Sequence, residues 1–192
     1  MRILGKTSIP IAVKASVVGG ETITKSAFSM YLVLDHSGSM KDPTNTSYTT
    51  NCSGKPCTKK YTKMESLKLA VESLVNQFNI ADPKKKYVRT AAVAYDDEMD
   101  TPANMDWGAD HALTYVHALS PDGLTDSSAA MAAAYNALKD STGSKSENSI
   151  HNKKNGLTPE KFIVFMTDGE NTKQQGRSTV ANPEADKSTK TT

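Results

Sequence analysis

Three short polar segments carry the oxygen-bearing side chains of this sequence that could do chemistry together. They are Asp35-His36-Ser37-Gly38-Ser39, Gly123-Leu124-Thr125 and Thr167-Asp168-Gly169. Carboxylates and hydroxyls are hard oxygen donors, which suit magnesium, manganese or calcium ions rather than zinc or copper. The segments therefore predict one site for a divalent cation. Its predicted ligands are Asp35, Ser37, Ser39, Thr125 and Asp168.

Each segment also has a simpler structural interpretation when it is taken alone. Ser37 and Ser39 fit ordinary loop positions, Thr125 fits a helix N-cap, and Thr-Asp-Gly fits a turn. The three together favour the metal site, because all of them fall at predicted strand ends or at a helix start. Neutral hydroxyls leave a divalent ion with uncompensated charge, so such an ion could accept a carboxylate from a partner protein.

The elements around the first segment predict a βαβ unit. A mostly apolar run over residues 28–34 precedes Asp35 and predicts a buried strand. Thr62 and Glu65 fit a capping box, and apolar residues follow them at helical spacing. Residues 87–95 predict a second buried strand, so the two strands should be parallel, with a right-handed crossover.

Further strands and helices alternate along the rest of the chain. We predict helices over 107–119 and 127–139, a short buried strand over 161–166, and an acidic turn over 96–102 with room for a short returning edge strand. This alternation predicts a doubly wound α/β fold, with a mostly parallel sheet and helices on both faces. Ligands of such sheets bind at the carboxyl ends of the strands, which is where the three polar segments fall.

The remaining polar stretches set the expected domain limits. We expect a leading segment with one strand at 8–18, a central domain and a disordered polar tail, over 1–27, 28–172 and 173–192. Residues 41–61 and 140–160 are expected to be long polar insertions, the first of them a loop. Because nothing strand-like follows Glu170, we expect the sheet to be truncated after its fourth main strand.

The two cysteines and the charge balance narrow the class of protein. Cys52 and Cys57 cannot complete a four-ligand zinc site, so a local disulfide is a better interpretation than free thiols. A disulfide implies an oxidising compartment. The sequence shows neither a signal peptide nor an apolar run of the roughly 20 residues that span a bilayer, so we interpret it as a piece of a longer exported protein. The formal net charge of +2 gives no reason to expect nucleic acid as a partner.

The motifs as a set resemble a von Willebrand factor type A domain over about residues 28–172. The matching stretches are Tyr31-Leu32-Val33-Leu34-Asp35-His36-Ser37-Gly38-Ser39-Met40, Thr125 and Phe165-Met166-Thr167-Asp168-Gly169. The resemblance implies a Rossmann-like fold with a metal-ion-dependent adhesion site. In that site Ser37, Ser39 and Thr125 would be hydroxyl ligands, while Asp35 and Asp168 would act directly or through water.

A narrower resemblance concerns the start of the chain. Met1-Arg2-Ile3-Leu4-Gly5 with Ser8-Ile9-Pro10-Ile11 is similar to the segment that precedes this domain in TadG-like bacterial tight-adherence pilus-assembly proteins. That resemblance implies a domain in the periplasm or at the cell surface. It also implies that the full-length protein is anchored to the membrane by a helix outside this chain.

The leading functional hypothesis is a non-enzymatic, cation-dependent adhesion module, in which the ion bridges to an Asp or Glu of a partner protein, in pilus assembly or surface attachment. The alternatives are a metal-dependent hydrolase or phosphotransferase, and a degenerate domain with a structural role. The enzyme is disfavoured because we expect no lysine or histidine near the three segments as a base, with His36 exposed. The acidic residues at 96–100 are expected to form a solvated turn or, alternatively, an acidic rim or second cation site.

Overall fold

The computed structural model describes residues 26–139, 143–169 and 172. The strands are β1 (Phe28–Asp35), β2 (Pro43–Cys52), β3 (Lys55–Thr62), β4 (Val88–Tyr95), β5 (Ala103–Trp107) and β6 (Glu160–Met166). The helices are α1 (Lys63–Ala81), α2 (Asp110–Ala118), α3 (Ser128–Leu138) and α4 (Glu147–Asn155). A short 3₁₀ turn, Gly38–Lys41, follows β1.

The central sheet has the strand order β5-β4-β1-β6 within the described residues. Strand β1 pairs in parallel with β4 on one side and with β6 on the other, whereas β5 is an antiparallel edge strand. Strand β4 is buried throughout, and β1 at all but its first residue, which explains their nearly continuous apolar sequences. The predicted α/β fold with a mostly parallel sheet is confirmed.

Helices cover both faces of this sheet. On one face α1 and α2 enclose the larger core; its strand residues include Met30, Leu32, Leu34, Ala92 and Ala94. On the other face α3 packs against Tyr31, Val33, Ala91 and Val93 of the two central strands. Two of the alanines of α3, Ala130 and Ala134, are fully buried against the sheet, where their small side chains let the helix lie close to it.

Helix α4 docks on the sheet through polar groups rather than through an apolar face. The Arg89 guanidinium donates from Nε to Glu147 Oε2 at 2.8 Å, and Ser29 Oγ donates to the same oxygen at 2.6 Å. His151 Nε2 lies 3.1 Å from Ser29 Oγ, and the His151 ring packs 4.8 Å from the Trp107 ring. Burial lowers the pKa of His151 to about 4, so the ring is neutral at physiological pH.

Two local predictions were wrong in informative ways. Residues 41–61 are not a loop but form most of the hairpin β2–β3. The predicted polar insertion over 140–160 contains helix α4. Trp107 ends β5, and the helix that was predicted over 107–119 begins only at Asp110. In the hairpin and in α4 the polar sequence hid regular structure, because neither the two faces of the hairpin nor the exposed side of α4 requires apolar residues.

The hairpin β2–β3 is a separate two-stranded sheet, and none of the residues in its strands is buried. Its turn is formed by Ser53 and Gly54, which have φ angles of 51° and 86°, as a two-residue hairpin turn requires. A disulfide joins Cys52 to Cys57 beside this turn, with their Cα atoms 5.7 Å apart. Farther along, the Tyr48 and Tyr61 rings stack with centroids 4.4 Å apart. These contacts hold two strands whose residues are otherwise largely exposed.

Parts of the predicted organisation lie outside the described residues, namely the strand at 8–18 and the tail over 173–192. Strand β6 forms one edge of the described sheet, and Phe162 and Phe165 on it are 42% and 38% exposed. None of the helices in the described ranges combines the length and the apolar character needed to cross a bilayer.

Candidate metal centre

The first polar segment turns sharply at the carboxyl end of β1. Asp35 is fully buried, and its Oδ1 accepts a hydrogen bond from the backbone N of Ser37 at 2.8 Å. The 3₁₀ turn then brings the Ser37 and Ser39 hydroxyls to 3.2 Å from each other. The alternating Asp-x-Ser-x-Ser pattern therefore places its three side chains around one curl of backbone.

The second segment is fastened to the first by backbone hydrogen bonds. The Gly38 N–H donates to Gly123 O at 3.0 Å, and the Asp122 N–H donates to His36 O at 2.8 Å. A Cβ on Gly38 would lie 3.1 Å from Gly123 O, so a larger residue would push the loops apart. Gly123 has a φ of 66°, which disfavours other residues there. Glycine is therefore needed at Gly38 because the two loops lie close together, and at Gly123 because of the backbone conformation.

The third segment closes over the first through side chains. Ser39 Oγ donates to Asp168 Oδ1 at 2.9 Å, and Thr167 Oγ1 donates to Asp35 Oδ2 at 2.8 Å. Strands β1 and β6 are parallel neighbours, so their carboxyl ends carry Asp35 and Asp168 to the same edge of the sheet. The hydroxyl of Thr167 was not among the predicted site residues, although it directly follows the strand end.

The second segment is also held by Thr172, which follows the third segment in the chain. The Thr125 N–H donates to Thr172 Oγ1 at 3.0 Å, and the Thr172 N–H donates to Thr125 O at 2.9 Å. Thr125 is 5% exposed and lies just before α3 rather than capping it, since the cap position is Ser127. The first segment therefore contacts both of the others, and Thr125 of the second segment is held by Thr172, three residues after the third segment.

The spacing of three oxygens in these segments can be compared with the spacing of ligands around a small divalent ion. Two neighbouring ligands of an octahedral ion with bonds of about 2.1 Å lie about 3 Å apart. The separations Ser37 Oγ–Ser39 Oγ, 3.2 Å, and Ser39 Oγ–Asp168 Oδ1, 2.9 Å, match this spacing. In the part of the chain that the structure describes, no group of three or more His, Cys, Asp or Glu side chains is arranged for a metal. The candidate site instead relies on hydroxyls.

A lysine lies in this site, contrary to expectation. Lys63, the first residue of α1, donates from Nζ to Asp168 Oδ2 at 2.8 Å and lies 3.5 Å from Asp42 Oδ2. The hydrogen bond to Asp168 raises the pKa of Lys63 above its usual range, so it stays an ammonium ion and is not a base. The capping box predicted the start of α1, but no sequence pattern pointed Lys63 toward residue 168.

His36 is also placed differently from the prediction. The residue is buried rather than exposed, and its Nδ1 donates to Ser120 O at 3.0 Å. Its Nε2 lies 3.3 Å from Asp100 Oδ2, and Asp97 Oδ1 accepts from the Leu124 N–H at 3.2 Å. The acidic turn after β4 therefore lies against the first two segments and supports them, rather than standing free in solvent.

The comparisons with known proteins identify the family. The model of the von Willebrand factor type A domain matches residues 30–170, so the chain belongs to this family. The resemblance found in the sequence is confirmed at this level. The comparison with curated proteins finds no match.

Solved structures with a similar fold include domains of pilus proteins. The vWF domain of the type V pili tip protein Mfa5 from Porphyromonas gingivalis superposes with a TM-score of 0.52 at 19% identity, over 75% of this chain and 38% of that one. A structure of three N-terminal domains of the same protein gives 0.47 at 20% identity, over 75% and 20%. A mutant PilB minor pilin from Streptococcus sanguinis gives 0.43 at 16% identity, over 80% and 32%. The chain thus spans less than two fifths of each of these chains.

Proposed function

We propose that this domain is a non-enzymatic protein-binding module that depends on a divalent cation. Magnesium, or manganese or calcium in its place, would be held by Asp35, Ser37, Ser39, Thr125 and Asp168. The observation that carries the proposal is the set of hydroxyl and carboxylate oxygens 2.9–3.2 Å apart at the edge where the three segments meet. Family membership supports it, since the matched residues include all five.

The chemistry of the donor set indicates what the ion would bind. Two carboxylates and neutral hydroxyls cannot neutralise a divalent ion once Lys63 shares Asp168. The ion would keep a net positive charge and would favour an anionic ligand in its remaining coordination positions. A carboxylate of Asp or Glu on a partner protein is the hard oxygen donor that fits this role. Binding would then be abolished by chelation of the cation.

The proposed setting is the periplasm or the cell surface, in pilus assembly or attachment. The disulfide between Cys52 and Cys57 favours an oxidising compartment. The vWF domain of similar fold belongs to a pili tip protein, which fits the same setting. Anchoring of the full-length protein to a membrane through a segment outside this chain is part of the proposal.

Titration calorimetry with magnesium and manganese chloride tests the proposed site. We expect saturable binding to the wild-type protein and its loss in Asp35→Asn and Ser39→Ala, because each removes an oxygen of the cluster or its support. Asp110→Asn is the matched control. Asp110 is the first residue of α2, its carboxylate pairs with Lys85, and it lies outside the three segments. An absence of saturable binding to the wild type, or binding that Asp35→Asn leaves unchanged, would contradict the proposal.

The enzyme alternative has a separate test. Lys63 and His36 lie nearer to the three segments than the sequence suggested, but Lys63 is held as an ammonium ion by Asp168 and His36 Nδ1 is engaged by Ser120. We therefore expect no magnesium-dependent hydrolysis of p-nitrophenyl phosphate. Turnover that requires magnesium and disappears in Asp35→Asn would favour the enzyme.

A further inference from the structure

A fixed positive charge lies inside the proposed metal centre. Lys63 Nζ is 2.8 Å from Asp168 Oδ2, and the Asp168 side chain is only 4% exposed. The lysine is held from two sides, because its backbone N–H donates to Asp42 O at 2.9 Å and Thr62 caps the helix that begins with it. The fold therefore fixes the backbone of Lys63, and Asp168 holds its ammonium group.

This charge changes the electrostatic balance of the centre. Asp35 and Asp168 supply two negative charges, and Lys63 returns one positive charge at hydrogen-bond distance. A divalent ion would thus bind to a cluster of net charge −1 instead of −2. The loaded centre would carry +1 instead of zero, and like charges repel over the short distance between the ammonium group and the ion.

We infer that Lys63 is a specificity-determining residue that weakens cation binding and strengthens the hold of the bound cation on a carboxylate ligand. The inference rests on the proposed function, because it assigns Lys63 a role in that same site. With Lys63 present, the module would bind its cation weakly and reversibly, and the loaded site would favour anionic partners. Its physical basis is the charge of Lys63, not the shape of its side chain.

A second role for Lys63 can be separated from the first by choice of variant. The two oxygens of the Asp168 carboxylate have different partners: Oδ1 accepts from Ser39 and Oδ2 accepts from Lys63. Lys63 could therefore merely orient Asp168. Lys63→Gln keeps an N–H donor but removes the charge, Lys63→Arg keeps the charge, and Lys63→Met removes both. A charge effect groups Gln with Met, whereas an orienting effect groups Gln with Arg and the wild type.

Calorimetric titration with manganese chloride measures the effect on cation binding. We expect Lys63→Met and Lys63→Gln to bind manganese about tenfold more tightly than the wild type, since a unit charge a few ångströms from a divalent ion is removed. Lys63→Arg should stay near the wild-type affinity. Lys41→Met is the matched control, because Lys41 is an exposed lysine of the adjoining 3₁₀ turn, and it should change the affinity less than about threefold.

Acetate serves as the carboxylate probe on the manganese-loaded protein. Relaxation of its ¹³C carboxyl signal by bound manganese should show several-fold weaker acetate binding in Lys63→Met. Thermal melting without metal is the control for folding. Lys63→Met should have a lower melting temperature than the wild type, because Asp168 has lost its counter-charge. Its melting temperature should rise more than that of the wild type when manganese is added.

The outcomes distinguish this inference from the proposed function. Unchanged or weaker manganese binding in Lys63→Met and Lys63→Gln, beside saturable binding in the wild type, overturns the inference alone. Failure of the wild type and of both variants to bind manganese overturns the proposed function and the inference with it.

Discussion

Strand β1 carries a polar cluster at each end, and the two clusters use similar chemistry differently. The inner cluster consists of Ser29, Arg89, Glu147 and His151, under α4. The metal-loop cluster consists of Asp35, Ser37, Ser39, Asp168 and Lys63, at the carboxyl edge. Each combines a carboxylate, a hydroxyl and a cationic side chain at hydrogen-bond distance.

The clusters differ in how far they are closed to solvent. The Arg89 and Glu147 side chains are 8% and 6% exposed, and His151 is fully buried. In the metal-loop cluster the Lys63 side chain is 29% exposed and Ser39 is exposed. A sealed cluster can contribute to stability but has no access to a ligand. The proposed cation site requires an open cluster, so exposure rather than residue type distinguishes the two clusters.

Removal of the Glu147 charge should have the largest effect on stability. In Glu147→Gln the buried Arg89 loses its counter-charge, and the free energy of unfolding measured with urea should fall by about 3–5 kcal/mol. The manganese-induced rise in melting temperature should stay close to that of the wild type, because the metal-loop cluster is intact. Glu160→Gln, an exposed carboxylate on β6, should change stability by less than about 0.5 kcal/mol.

The double variant Arg89→Met/Glu147→Leu sharpens the interpretation. Replacing both buried charges with apolar groups should cost less than Glu147→Gln alone, since no unpaired charge remains. An equal or larger loss in the double variant would show that the packing of the side chains, rather than their charge, stabilises this cluster.

Acid should weaken the inner cluster through His151. Asn155 Oδ1 accepts from the Leu157 N–H, so its Nδ2 donates to His151 Nδ1, and His151 Nε2 is left to donate to Ser29. A second proton on the ring has no acceptor there. Burial and the Arg89 charge both act to lower the pKa of His151, to about 4, while the Glu147 charge opposes them.

The sign of the pH effect follows from this shift. The native protein binds fewer protons at His151 than the unfolded chain between pH 6.5 and 4, so this contribution to stability is complete above pH 6.5. It is lost as the pH falls to 4 and amounts to about 3 kcal/mol. The free energy of unfolding of the wild type and of His151→Phe can be measured with urea at pH 7 and pH 4.5. The difference between the two proteins should be smaller at pH 4.5. A difference independent of pH would contradict the buried neutral ring.

The disulfide should stabilise the hairpin without affecting either cluster. Closing so short a loop contributes about 2 kcal/mol by restricting the open chain. In Cys52→Ser/Cys57→Ser, amide hydrogen exchange in β2 and β3 should therefore be about 30-fold faster. Exchange in β1 and β4 should not change, and manganese affinity should stay within about threefold of the wild type. Faster exchange in β1 would mean that the hairpin supports the central sheet.

Elements were predicted best from the sequence where a local residue pattern is itself what the structure requires. The apolar strands β1 and β4 must be buried, and the Thr62–Glu65 capping box appears with both of its hydrogen bonds. The first and third polar segments lie together because they follow parallel neighbouring strands, β1 and β6, which end at one edge. By contrast, β2 and β3 are polar on both sides, so alternation gave no signal for them.

The polar partners could not be predicted because they are distant in sequence. Arg89 and Glu147 are 58 positions apart, and Lys63 and Asp168 are 105 apart, so neither pair leaves a local pattern. Their positions depend on how α4 and α1 cross the sheet. Asp168 was a candidate from the sequence, whereas Glu147 and the two cationic side chains were not.

Loss of the α1 cap should have the smallest effect on stability, and it probes the junction next to Lys63. Glu65 N donates to Thr62 Oγ1 at 3.1 Å, so Thr62→Ala should lower the free energy of unfolding by about 1 kcal/mol. Thr62→Ser keeps the hydroxyl and should lose less. Because Lys63 is also held by Asp42 and Asp168, manganese affinity measured by calorimetry should change less than about threefold in Thr62→Ala. A stability loss as large as that of Glu147→Gln would show that the metal-loop edge supports the fold as strongly as the inner cluster does, and the contrast between them would fail.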